Sequence, residues 1–597
     1  MLLKSLAVMA SLLLALWALF VLGTSWTTYS CYCLYRNYII AREIGVPIRI
    51  IPIDHLNKLW LLADKQVTTF IRQLPGSLGN NSFTRFNYRG WHERDGLRAH
   101  EEMGEAFVLV SPSRNWLYLA NPDALIDMYR RGKDFPRWVE ITKMLDVFGG
   151  PNIATASGEQ WRKHRKIINS CLHEQCNVGV WKEAALLGDE MARYWATKHT
   201  FTSVGEDTRT VSLHVLCKAC FGQSFAFEGH DERVPTSPSA SFRFSLLTVM
   251  EGALLILLLG PGFFINKWLP LPGYWRRLGE ACASFKGHMS YLYNQKLHAL
   301  AEGHLEGDST LMASLIRASQ KKDGKGLTEA EIYGTMFVVS FAGHDTTAHL
   351  LTYAIFFLAA NPSIQDWLSE ELYRVLGDKP HQEWDYYTDL PRLKRCLAVL
   401  YETLRVKTPV AEVKWTNKLA QCLDFRGRML TIPPTTLIIP SYIYVHKHPQ
   451  FWGPDAHEWR PERWIEKQNN DNHRKSAGAA SPQKQVEHKY RLDGQEEDAH
   501  EDEVLLQPPS RGNYLGWSEG TRDCPAKRFS QVEWVAILAA LFRDWKVKPL
   551  QLDHETPAEA RMRVLGFIEK NTDYGGLLLQ LMHPERLPLV WSSRYEK

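Results

Sequence analysis

Trp517-Ser518-Glu519-Gly520-Thr521-Arg522-Asp523-Cys524-Pro525-Ala526 sets one cysteine in a glycine-containing loop, two residues after an arginine. An apolar run with a helical pattern, Phe529 to Phe542, follows at once. The thiolate is the reactive and metal-binding form of cysteine, and cationic neighbours and helix N-termini both favour it. The first turn of the following helix carries unpaired N–H groups and partial positive charge. Cys524 is thus placed to be an anionic sulfur. An isolated loop cysteine is more often simply buried, so the rest of the chain must supply its partners.

Upstream, Arg463 stands in Trp459-Arg460-Pro461-Glu462-Arg463-Trp464, after a rigid turn region that starts at His446. A helix predicted over Leu390 to Leu404 ends on Glu402 and Arg405, three apart and able to pair. Its leucine-rich flanks predict a buried pair, with Arg463 as a third partner. The longest predicted helix starts at a Thr328–Glu331 capping box and runs to Ala360 before Asn361-Pro362. Its centre reads Phe341-Ala342-Gly343-His344-Asp345-Thr346-Thr347. Glycine and threonine weaken a helix, and threonine hydroxyls bond back to the preceding turn. An acid beside an alcohol at such a point suggests a site; the plain alternative is a tolerated kink. Further upstream, Trp161 and Arg165 share one face of a basic helical segment. Arg428–Ile432 and Thr436–Tyr442 are predicted strands, as are Phe107–Val110 and Trp116–Leu119.

The chain has 597 residues, of which 45% are hydrophobic and 23% charged. The net charge of +4 gives no argument for nucleic acid as a partner. Ten cysteines are too sparse for a disulfide scaffold, and Cys217-x-x-Cys220 lacks a second pair at zinc spacing. No charge interrupts Ser5 to Tyr35, and Leu6 to Gly23 is almost wholly apolar. That predicts a transmembrane anchor over 1–35, with Arg36, Arg42 and Arg49 on the cytoplasmic side. A cleaved signal peptide is the alternative. Pro47 and Pro52 mark 36–60 as a hinge. Leu254 to Gly262 reads as a core helix or a monotopic membrane patch, and 466–511 as a disordered insertion.

The ordered set Ala342-Gly343-His344-Asp345-Thr346-Thr347, Glu402-Thr403-Leu404-Arg405, Pro461-Glu462-Arg463-Trp464 and Trp517-x-x-Gly520-x-Arg522-x-Cys524 resembles the cytochrome P-450 family of haem-thiolate monooxygenases. The resemblance covers about residue 45 to the end, and Phe529–Glu533 resembles fungal members. Trp517, Ala526 and Trp464 depart from the family's usual phenylalanine, glycine and phenylalanine.

The resemblance implies a mainly α fold with a smaller β portion and a long central helix over the haem. Residues 61–597 would form the catalytic domain. Cys524 would be the axial thiolate of haem b, with Trp161, Arg165 and Arg522, and also Lys414, as propionate partners. Gly343 would open the helix, Asp345 and Thr346 would deliver protons to dioxygen, and Glu402, Arg405 and Arg463 would form a structural triad. The implied reaction inserts one atom of dioxygen into a lipophilic substrate, in secondary metabolism. Electrons would come from NADPH-cytochrome P-450 reductase, with cytochrome b5 as an optional donor. The basic run Arg162, Lys163, Arg165 and Lys166, with Lys527 and Arg528, would dock the reductase. Phe341, Thr408–Val413 and a loop near Gly566–Gly576 would line the substrate pocket. The enzyme would sit in the endoplasmic reticulum membrane by a single pass, its catalytic domain cytoplasmic. A non-oxygenating isomerase or dehydratase, and a non-catalytic haem-binding membrane protein, are the alternatives; the intact Asp345-Thr346 pair counts against both.

Overall fold

Unbroken apolar runs at Phe107–Val110 and Trp116–Leu119, buried throughout, make the central hairpin of a five-stranded sheet. β1 (Ile48–Ile50), β2 (Ala106–Val110), β3 (Asn115–Leu119), β4 (Lys414–Trp415) and β7 (Leu437–Pro440) build it in the order β1-β2-β3-β7-β4. β2 and β3 pair antiparallel with Val108 opposite Leu117. β5 (Gln421–Phe425) and β6 (Arg428–Ile432) form a separate hairpin. The computed structural model describes residues 2–138, 142–229, 242–266, 268–303, 308–320, 326–410, 412–467, 503–575 and 578–595. The side chains of residues 2–12, 15, 144, 243, 467 and 575 lie outside that description. The chain divides into two units: Met1–Trp138, Ala411–Ala456 and Arg511–Asp523 in the first, Val139–Val410, His457–Ser510 and Cys524–Lys597 in the second.

In the first unit, α1 (Leu2–Arg42) leads to the sheet, followed by α2 (Trp60–Arg72) and α3 (Pro122–Arg130). The first part of the expected 36–60 hinge packs on the sheet. Asn37 donates to the carbonyls of Ser111 and Pro112, Ala41 and Ile44 are buried in the sheet's core, and β1 pairs in parallel with β2. Proline breaks helices but is tolerated at the start and edge of strands, which is how Pro47 is used here. Among the described residues no helix is long and apolar enough to cross a membrane. Side chains 6–12 and 15 of the Leu6–Gly23 run lie outside the described residues, while Leu13, Leu14, Leu16, Trp17, Leu19, Phe20 and Leu22 are exposed.

The second unit is mostly helical. α4 (Gly158–Cys171), α5 (Glu174–Ala196), α6 (Val204–Phe221), α7 (Ala253–Leu259), α8 (Pro261–Ile265), α9 (Gly273–Ala301), α10 (Glu329–Ala360), α11 (Lys394–Val406), α12 (Lys527–Phe542) and α13 (Pro557–Asn571) carry most of it. α10 begins at the predicted capping box and runs without a break through Gly343. Cys217 and Cys220 are buried core residues of α6. α7 and α8 bury Ile256, Leu257 and Phe264 and expose Leu259 and Ile265, with Trp268 exposed just beyond, so the stretch is core on one side and open on the other. The two ends of the expected 466–511 insertion are β8 (Ile465–Lys467) and β9 (Glu503–Leu505), paired antiparallel. Residues 468–502 lie outside the described residues. β10 (Trp545–Pro549) pairs with β13 (Leu589–Ser593), and β11 (Thr572–Gly575) with β12 (Leu578–Leu581). The expected loop near Gly566–Gly576 is instead the end of α13 and β11; Gly576 lies outside the described residues.

Candidate active site

Cys524 lies between the turn Gly520–Arg522 and α12, three residues ahead of the helix. Its thiol is half-buried, whereas Cys171, Cys176, Cys217, Cys220, Cys282 and Cys396 are buried. Gly520 is required for two reasons: its φ is +77°, and a Cβ there would stand 2.7 Å from the Tyr129 carbonyl oxygen.

Arg522 belongs to a buried charge cluster of the first unit. Arg137 donates to Glu412 Oε1 at 3.0 Å, and Lys414 Nζ meets the same oxygen at 2.9 Å. The Ser518 hydroxyl donates to Glu412 Oε2, and Arg137 donates to the Arg522 carbonyl at 3.4 Å. An antiparallel bridge between Arg137 and Lys414 sets the first two cations side by side. Burial pulls the Arg522 pKa down to about 10, with Arg137 reinforcing and Glu412 opposing. Burial also lowers Lys414, against the pull of Glu412. For Glu412 burial acts upward, but Arg137, Lys414 and Ser518 outweigh it and hold the carboxyl below its usual range. The described residues of this cluster thus set three cations against one carboxylate.

On α10 of the second unit, the Thr346 and Thr347 hydroxyls donate back to the carbonyls of Ala342 and Gly343 at 2.9 and 3.2 Å. This is the back-bonding predicted from sequence, and it leaves the helix continuous. A Cβ on Gly343 would come within 2.4 Å of Leu216 on α6, so this glycine allows the two helices a close approach. Asp345 faces Arg209 of α6 at 3.4 Å and His344 at 3.3 Å. Burial pushes its carboxyl up, but His344, Arg209 and His349 together hold it below the usual range. His349 is pushed down to about 3, chiefly by burial. Asp345 opens onto a cavity of about 430 Å³ whose lining includes Arg209, Leu254, Leu255, Phe341 and Leu578. Phe341 is where the sequence placed it; Thr408–Val413 do not line this cavity. Behind α10, Glu533 of α12 is buried against the hydroxyls of Ser212 and Thr347, and burial raises its carboxyl to about 8.

Glu402, Arg405 and Arg463 come together in the second unit. Arg405 makes two 2.8 Å hydrogen bonds to the carboxylate of Glu402, and both side chains are fully buried. Arg463 donates to Glu402 Oε1 at 3.0 Å. Trp464 donates its indole N–H to Oε2 at 2.9 Å, a bond that the family's usual phenylalanine could not make. The Arg460 backbone N–H adds another at 2.8 Å.

Trp161 and Arg165 are half-buried together on one face of α4. The basic run around them is less open than the sequence suggested. Lys163 pairs with Glu331 at 3.3 Å, Arg162 pairs with Glu159, and Arg528 lies over the Tyr386 ring. Lys166 and Lys527 are exposed.

The family model for cytochrome P450 matches residues 92–575. The chain belongs to the cytochrome P450 family. A P450 monooxygenase of Arthrobotrys oligospora is 25% identical over 90% of this chain and 92% of its own length. The P450 monooxygenase of the phomenoic acid biosynthesis cluster of Leptosphaeria maculans is 25% identical over the same shares. A third, from Penicillium roqueforti, is 23% identical over 89% of this chain and 94% of its own length. P450s are haem-thiolate enzymes with iron-bound haem, and this P450 is an oxidoreductase of the monooxygenase class.

Two residues of the Glu412 cluster escaped the sequence reading. Arg137 was not singled out, and Glu412 was noted only inside a pocket-lining range. Neither has a spacing relation to Cys524; the sheet brings them together. Glu533 carries a faint signal, an acid within the apolar run of α12.

Proposed function

We propose that this P450 inserts one atom of dioxygen into a lipophilic secondary metabolite, with electrons from NADPH through a membrane-bound reductase. Cytochrome b5 is an optional second donor. Cys524 would hold the haem iron through its thiolate, and Arg522, Arg137 and Lys414, with Trp161 and Arg165, would hold the haem propionates. The observation that supports this reading is the buried grouping of Arg137, Lys414 and Arg522 near Glu412, on a stretch that ends two residues before Cys524. Arginine and lysine suit this task because charge-assisted bonds to carboxylates are the strong ones.

When bound, the haem supplies the electron-transfer chemistry that splits dioxygen, one atom going to substrate and one to water. The chain's own residues handle protons. Asp345 is ionised at neutral pH, so it takes a proton on a carboxylate oxygen once it parts from Arg209. The Thr346 oxygen keeps lone pairs to hold a water while its hydroxyl hydrogen is bonded to Ala342. Threonine is too weak an acid to release its own proton, so Asp345 supplies the proton and Thr346 positions the water. The apolar wall of the Asp345 cavity (Leu254, Leu255, Phe341 and Leu578) supports a lipophilic substrate. Its volume of about 430 Å³ lies within the range of small-molecule sites.

The uncharged Ser5–Tyr35 run and the exposed aromatics Trp17, Trp26, Tyr29 and Tyr32 of α1 support a single-pass anchor in the endoplasmic reticulum. The catalytic part then faces the cytoplasm. Lys166 and Lys527, both exposed, support reductase docking on this face. The test is Cys524→Ala, read by the carbon-monoxide difference spectrum of the reduced protein. Loss of the thiolate-type band with the fold intact is expected; its retention would sink the assignment.

A further inference from the structure

α2 carries apolar residues on its outer face as well as its inner one. It buries Trp60, Leu61, Asp64 and Thr68 and turns Leu62 and Phe70 outward, the latter 68% exposed. Leu59 before the helix and Leu74 and Leu78 after it are exposed as well. Single exposed leucines need no explanation, whereas a run of them marks an interaction surface. Leu74 also lines a groove of about 820 Å³ whose walls hold Arg72, Arg85, Tyr88, Arg94, Asp95 and Arg98.

The four arginines of this groove are not equivalent. Arg85 is bidentate to Asp95 and pairs with Glu102. Arg98 lies 3.4 Å from Glu102 and 3.8 Å from Asp95. These four charges cancel. Arg72 and Arg94 sit over the Tyr88 ring, 4.5 and 5.9 Å from its centroid. Among the described residues neither Arg72 nor Arg94 pairs with a carboxylate. The groove therefore holds two uncompensated guanidinium groups next to a strip of exposed leucine and phenylalanine.

We propose that this groove receives the phosphate-bearing headgroup of an anionic phospholipid, while Leu59, Leu62, Phe70, Leu74 and Leu78 enter the acyl layer beside it. Guanidinium forks match phosphate oxygens in pairs. A helix lying in the membrane interface buries its apolar side by roughly 5–10 Å, with basic groups at headgroup height. A free phosphate would account for the arginines but would leave five exposed apolar side chains unexplained. The cytoplasmic leaflet is the anionic one, and the Arg36, Arg42 and Arg49 bias puts this unit on that side. The site is independent of the chemistry at Cys524.

Hydrogen–deuterium exchange of the full chain, reconstituted in phosphatidylcholine vesicles with and without phosphatidylserine, tests this. The anchor is inserted in both, so differences over residues 72–98 report the headgroup. Amides there are expected to exchange several-fold more slowly with phosphatidylserine. Arg72→Gln combined with Arg94→Gln should abolish the difference, at roughly fivefold in headgroup affinity per arginine. If that variant loses its haem or its fold, Phe70→Ser, at a side chain already in solvent, replaces it and should also reduce the difference. Equal exchange in both vesicle types would overturn the proposal, as would a difference that survives these substitutions. So would inorganic phosphate reproducing the slowing in phosphatidylcholine vesicles, since the site would then take a free anion.

Discussion

Two buried glutamates, Glu402 in the second unit and Glu412 in the first, are each surrounded by arginine, yet the two clusters are opposite in design. Around Glu402 the carboxylate is saturated: Arg405, Arg463, Trp464 and the Arg460 amide all donate to it. Arg405 then passes a further bond to the Glu458 carbonyl at 2.9 Å. Around Glu412, Arg137 and Lys414 share a single oxygen, and Arg522 adds a third cation whose pKa falls chiefly through burial, with Arg137 adding to it. A network that closes on itself holds a fold together. Three cations gathered round one carboxylate repel one another, and in the function proposed above an anionic group would relieve that repulsion.

The largest effect expected from breaking this contrast is at Glu402. Arg405→Ala leaves a buried carboxylate short of its bidentate partner and should cost about 3–5 kcal/mol, seen as loss of folded protein or a large fall in Tm. The same chemical change at Arg522 should behave differently. Arg522→Leu removes one of three mutually repelling cations, so the haem-free protein should keep its stability. Haem affinity should fall roughly ten- to a hundredfold, the worth of a charge-assisted hydrogen bond of about 1.5–3 kcal/mol. Haem transfer to an acceptor protein measures this. If Arg405→Ala spares the fold, or Arg522→Leu unfolds the haem-free chain, the contrast fails.

Sequence reached these two clusters unequally. Glu402 and Arg405 are one helical turn apart, so their pairing is legible from spacing alone, and Arg463 follows from its turn. Arg137, Glu412, Lys414 and Arg522 come from three separate segments, and only the register of β4 beside residue 137 joins them. No local period encodes that. α13 is a different case: Thr556, Pro557 and Glu559 spell a helix start, and Ala560, Val564 and Ile568 recur every fourth residue and are buried. The signal was present, and the resemblance to a family loop displaced it. The long helix, the central hairpin and the cysteine turn were readable because each carries its own period or cap.

Glu533 sharpens the comparison further, as a buried carboxyl to which neither cluster lends a cation. Its carboxyl is raised from the ordinary 4.5 to about 8 by burial. The folded state thus binds a proton that the unfolded chain has released. Its contribution is fully present below about pH 4.5 and is lost as pH rises through about 8. Across that window stability should decline by about 1.4 kcal/mol per pH unit from this group alone. Glu533→Gln should flatten the decline in chemical denaturation series, and an unchanged slope would mean another group is responsible. The smallest effect is at the rim of the Glu412 cluster. Ser518→Ala removes one donor to a carboxylate that keeps two cations, and should cost about 1 kcal/mol in Tm-derived stability.

Asn37 takes on another meaning once α1 is considered as a mechanical part. Its amide binds the carbonyls of Ser111 and Pro112, and Asn115 donates back to the Asn37 carbonyl at 3.1 Å. With Ala41 and Ile44 buried in the sheet, the last turns of α1 are bolted to the β2–β3 hairpin. α1 spans 41 residues, roughly 60 Å of unbroken helix. The joint is therefore a strut and not a leash: turning the helix about its axis turns the sheet by the same angle. Whatever grips its far end sets the bearing of the first unit as well as its distance.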